Sequence, residues 1–117
     1  LGSQTSGQRA ALHALPDLEI EPDARAFRVR GASRVDLTAR HVARRLLAAF
    51  VDAEGRALLT HELVAAGWPG ERMRTEAGVH RVHVALHQLR RLGLQGLLAH
   101  GEHGYRLACS VALSSSA

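Results

Sequence analysis

Apolar residues recur at intervals of three and four in three stretches of this chain, and shorter alternating stretches lie on either side of them. In TARHVARRLLAAFVDA, Val42, Leu46, Leu47 and Phe50 share one side at helical spacing, with Arg40, Arg44 and Arg45 turned away. The pattern predicts a first helix with Thr38 as N-cap, ending before Gly55. THELVAAGW predicts a second, of about two turns, capped by Thr60 and stopped at Trp68-Pro69-Gly70, because proline cannot continue the backbone ladder. TEAGVHRVHVALHQLRRL predicts a third, capped by Thr75 and stopped by Gly93. Gly78 costs about 1 kcal/mol inside a helix, so the start of this one could lie nearer residue 78.

Upstream, LEIEPDARAFRVRGASRVDL alternates between the turn formers EPDA and RGAS, which predicts antiparallel strands near residues 18–21, 26–30 and 34–37. Downstream, LLAH and YRLACS read as two strands around a glycine-bounded tip, GEHG. The order is a small N-terminal antiparallel sheet, three helices and a C-terminal hairpin, an α+β domain over residues 17–109. LGSQTSGQ is small, polar and without periodicity, so residues 1–16 read as a linker or an expression remnant, and residues 110–117 as a disordered tail.

Composition narrows the function classes. The length of 117 residues suits one core, and aromatics at 3% leave that core to Leu, Val and Ala. Nothing spans or targets a membrane, and a lone Cys109 suits a reducing compartment, so the cytoplasm is expected. No phosphate loop, paired carboxylates or nucleophile elbow is found, which argues against an enzyme and against a cofactor.

Charge is informative through its placement. All fifteen cationic side chains are arginine, as a GC-rich genome alone would produce, so the total says little. Residues 72–91, however, hold Arg72, Arg74, Arg81, Arg90 and Arg91 against Glu76, a local excess of +4 that equals the formal charge of the entire chain. At about 100° per residue, Val82, Leu86 and Leu89 of the third helix group on one side, flanked by Val79 and Ala85. His80, Val84, His87 and Arg91 group opposite, with Gln88, Arg81 and Arg90 toward the borders. This ridge has no acid between residues 77 and 101, whereas a merely solvated face usually alternates charge sign. Arg, Gln, His and a small aliphatic are groups that can read base edges in a DNA major groove, and bordering arginines can hold phosphates. His83 and His87, at i and i+4, have the spacing of a two-imidazole metal site. No carboxylate stands near them in sequence to orient the rings, and Arg90 and Arg91 would repel a cation, so no metal is expected.

Taken in order, Leu37-Thr38 before the first helix, Leu59-Thr60-His61-Glu62-Leu63 followed by Trp68, Val82-x3-Leu86-x2-Leu89-Arg90, and Gly104-Tyr105-Arg106-Leu107 resemble the DNA-binding effector domain of OmpR/PhoB-type winged-helix regulators. The resemblance covers about residues 18 to 108. It implies a winged helix-turn-helix fold whose third helix enters the major groove of double-stranded DNA while the hairpin wing touches the adjacent minor groove. By position it places His87 and Gln88 against bases and Arg90 and Arg91 near the backbone. Together with the helical angles, the expected DNA-binding set is Arg81, Val84, His87, Gln88, Arg90 and Arg91, with His103 and Arg106 as the wing cations. Where similar domains carry Glu three residues after the first helix cap, His41 stands here; where they carry Arg-Gly at the wing tip, Gly101-Glu102 stand here. The connector GWPGERMR reads as a plain loop, although in such regulators the equivalent loop often meets RNA polymerase or a second protomer. A longer regulator chain is implied. The competing reading is a winged-helix module that binds protein, favoured by Glu102 at the tip.

Overall fold

A computed structural model describes residues 16–114. Apart from Pro16, the expected linker lies outside the described residues, as do residues 115–117 of the expected tail. The described chain runs β1 (Leu18–Ile20), a 3-10 turn at Pro22–Ala24, β2 (Ala26–Val29), β3 (Val35–Asp36), α1 (His41–Asp52), α2 (Thr60–Gly67), α3 (Thr75–Leu89), β4 (Leu98–Gly101), β5 (Gly104–Leu107) and β6 (Val111–Leu113). The first sheet has the order β3-β2-β1-β6, and β4 and β5 form a separate hairpin.

Strand β6 corrects the expectation of a disordered tail from residue 110. Val111–Leu113 pair in parallel with β1, so a sheet read as wholly antiparallel is mixed. A knot of short polar bonds sets the register. The Asp17 amide donates to Ser110 Oγ (2.9 Å), the Ser110 amide donates to Asp17 Oδ2 (3.2 Å), and the Leu18 amide donates to the Ser110 carbonyl (3.1 Å). No local pattern reveals a partner 93 residues away.

The core forms where the patterns meet. Leu18 and Ile20 point inward and Glu19 outward, as strand alternation requires. They join Phe27, Leu46, Leu47, Phe50, Leu63, Val82, Leu86 and Leu89 in one buried cluster. Each such side chain contributes about 1.5–3 kcal/mol by leaving water.

None of the three threonines is an N-cap. The Thr38 hydroxyl and amide both donate to Asp36 Oδ1, the amide at 2.7 Å. The carboxylate thus closes a local turn, and α1 starts at His41 behind Arg40. Thr60 and Thr75 are the first residues of their helices, behind Leu59 and Arg74. Leucine has no side-chain acceptor, so at α2 the cap is made from the other direction, with the Leu59 amide donating to Glu62 Oε1 at 3.0 Å.

Two glycines set how the elements meet. Gly78 lies inside α3 and is buried, and a methyl there would come within 3.0 Å of Val64 Cγ2 and 3.6 Å of Met73 Sδ. Its helix cost therefore brings α2 and α3 together, and α3 begins at Thr75 all the same. Gly104 has φ +114°, and a Cβ there would sit 2.2 Å from the Leu58 carbonyl oxygen. That closeness lets Leu58 act as a third rung beside β5. Its amide donates to the Tyr105 carbonyl (2.7 Å), and the Tyr105 amide donates back (2.9 Å). The hairpin is thereby fixed to the segment ahead of α2 and held alongside α3.

Candidate nucleic-acid interface

Helix α3 buries the expected stripe, with Val82, Ala85, Leu86 and Leu89 inward. His80, Arg81, His83, Val84, His87, Gln88 and Arg91 are all exposed on the other side. Val84 is the telling member, since 46% of a large apolar side chain stands open to water in the middle of a polar ridge. Regular α-helix ends at Leu89, one wide turn follows over Arg90–Leu94, and Gly93 terminates it at φ +145°.

The eight expected contact residues are not equivalent. Val84, His87, Gln88 and Arg91 share the open ridge. Arg81 pairs with Glu71 at 3.3 Å, an acid delivered by the connector between α2 and α3. The helix alone could not reveal it. Arg90 is half-buried, and its Nη2 approaches the Leu98 carbonyl at 3.4 Å, so its side chain reaches the base of the hairpin. His103 is exposed with Glu102 at the hairpin tip. Arg106 is exposed between buried Tyr105 and Leu107, which puts it on the hairpin face turned away from α3.

Between α3 and the hairpin lies an open cleft of about 690 Å³. Its walls include His80, His83, His87 and Gln88 from the helix, Arg91 from the turn after it, and His100 and Tyr105 from the hairpin. No carboxylate lines it. Tyr105 is 4% exposed and is the fixed point of this surface. His100 lies flat on its ring at 4.1 Å and 8°, and His83 meets it edge-on at 6.5 Å and 70°. Sequence reading omitted His100 and Tyr105 from the site. The signal was nevertheless present, because a two-residue tip at Glu102-His103 puts His100 directly opposite Tyr105.

Among the described residues no group of three or more His, Cys, Asp or Glu could hold a metal ion. None of their helices is long and apolar enough to cross a membrane. Cys109 lies away from the cleft, beside Phe50 and Leu107; burial, then the charge of Asp17, pushes its thiol pKa up.

Three helices with an N-terminal sheet and a C-terminal hairpin beside the third helix make this a winged-helix domain. The solved structure of the DNA-binding domain of E. coli CadC is similar to it, with a TM-score of 0.52 and 17% identity over 80% of this chain and 92% of that one. No protein-family model and no curated protein matches the sequence.

Proposed function

We propose that this domain binds double-stranded DNA with α3 in the major groove, as the effector domain of a transcriptional regulator resembling the OmpR/PhoB type. The observation that carries the proposal is the exposed ridge of α3, where Val84, His87, Gln88 and Arg91 stand clear of the core with no carboxylate among them. A helix with its side chains is about 10–12 Å across and the major groove about 12 Å wide, so the ridge can lie against base edges. Gln88 offers the donor and acceptor pair that suits adenine, Val84 an apolar contact for a thymine methyl, and His87 a second hydrogen-bonding group. Arg91 holds phosphate, and Arg81 joins it by exchanging Glu71 for the backbone. Arg90 positions the hairpin, while His103 and Arg106 touch DNA only at the edge of the contact. The CadC domain, named for binding DNA, supports this reading through its fold. A cytoplasmic regulator with further domains is the setting in which such a module operates.

Selection from a random duplex library tests the proposal, and recovery of one shared motif is the expected result. Exposed Val84 and the acidic tip at Glu102 favour a second reading, a module that docks on protein. Salt separates the two. For a duplex, log K falls with log salt by about 0.9 for each phosphate neutralised, whereas an apolar protein contact responds little. An empty selection together with a salt-insensitive protein complex would replace the first reading by the second.

A further inference from the structure

We propose that the cleft between α3 and the hairpin seats one sugar-phosphate strand of the duplex, and that its histidines take up protons as they engage it, so that DNA affinity rises as pH falls. This deepens the DNA-binding reading and rests on it.

The chain has eight histidines, and four of them, His80, His83, His87 and His100, line this one cleft. Three of them share one side of α3, and the fold brings His100 of the hairpin to join them. A duplex whose major groove holds α3 has a backbone strand running along each side of that helix, and the hairpin stands where one of those strands must pass. Five side chains of α3, two of the turn that follows it and two of the hairpin face the cleft besides buried Leu86, and the only permanent charges among them are Arg90 and Arg91 of the turn. Helices α1 and α2 pack on the buried side of α3 and contribute no titratable group. The acids of the neighbouring segments stand outside the cleft lining: Glu76 one turn before His80 on α3, Glu71 on Arg81, and Glu102 at the tip.

A histidinium in this cleft therefore meets no carboxylate among the cleft-lining residues, and phosphate supplies a partner through a charge-assisted hydrogen bond. Histidine changes charge between about pH 5 and 8, while phosphodiester and arginine keep theirs throughout. Phosphate stabilises the protonated ring, so binding takes up protons, and the added affinity is present at the acid end of that range and is lost as pH rises through it. His100 is prepared for this role. With one ring face on Tyr105, its two nitrogens lie at the ring edge, and protonation strengthens attraction to the tyrosine face.

The test is fluorescence anisotropy on a duplex carrying the selected motif, from pH 5.5 to 8 at constant ionic strength. The parent should bind about tenfold more tightly at pH 6 than at pH 8, the gain expected for net uptake of roughly one proton over part of that interval. Combining His83→Gln with His100→Gln, both exposed positions, should narrow the difference to about threefold or less, with an unchanged melting curve showing that the fold is intact. His61→Gln, an exposed histidine on α2 outside the cleft, should retain the full difference. Parent binding that is specific but flat with pH overturns the proposal and leaves the DNA reading standing, as does a double variant that keeps the whole pH response. Absence of binding at every pH and salt concentration overturns both.

Discussion

The N-terminal sheet and the α3–hairpin side use the same cation in opposite ways. On the sheet, Arg25 and Arg34 both reach Glu21, Arg34 also meets Asp36 at 3.5 Å, and Arg30 meets Asp17 at 3.1 Å. The Arg34 hydrogen bond holds the Glu21 carboxyl below its ordinary range, and the Thr38 hydroxyl does most to hold Asp36 there. In the cleft no acid faces Arg90 or Arg91. Exposed pairs of the first kind add little stability, yet they cancel the field of the surface that carries them. An arginine-rich composition therefore says nothing about partners until the acids have been placed, and here none of them lines the cleft.

The contrast can be broken at four points. Gly104→Ala should act most strongly, because a Cβ 2.2 Å from the Leu58 carbonyl cannot be accommodated without moving the hairpin. A loss of about 3 kcal/mol or more is expected, read as a fall of roughly 10 °C or more in Tm. Gln88→Ala should relax preference at one base pair by about 1–3 kcal/mol, seen as one degenerate position in a repeated selection while the others hold. Arg91→Ala should weaken every duplex about tenfold at low salt and make the salt slope shallower by about 0.9, whereas Arg34→Ala on the sheet should leave both unchanged. If the two arginine variants behave alike in titrations, the division between faces is wrong.

The smallest effect concerns acid. Glu21 and Asp36 have depressed carboxyl pKa values in the folded domain, so their contribution is present above the unfolded carboxylate range and is lost as pH falls below that range through the folded values. Glu21→Gln should flatten that acid limb in thermal melts between pH 3 and 6 and should not alter DNA affinity at neutral pH.

Much of this arrangement was legible in the chain because its causes are local. Helical spacing around Val82, Leu86 and Leu89 is enough to decide which side of α3 is buried, and with it which residues form the ridge. The turn residues between strands likewise mark β1, β2 and the hairpin. What escaped depends on partners distant in sequence. The pairing of Ser110 with Asp17 creates β6, Glu71 reaches Arg81 across the connector, and Arg90 turns toward Leu98. The threonine caps failed for a different reason. Asp36, two residues before Thr38, accepts from both the Thr38 hydroxyl and its amide and so closes a turn ahead of α1, and Glu62 capped α2 from within. His100 is an intermediate case, since the tip length was readable but its meaning required knowing that Tyr105 is buried against α3.

The parallel pairing of β1 with β6 also has a mechanical meaning. Leu18 lies beside Val111 and Ile20 beside Leu113, so the strand by which the chain enters the domain and the strand by which it leaves are neighbours running the same way. Tension applied through flanking polypeptide would draw these two strands past each other in shear. Their hydrogen bonds would then share the load and fail together instead of opening one after another, and the pull would be borne by the sheet before it reached the helix face.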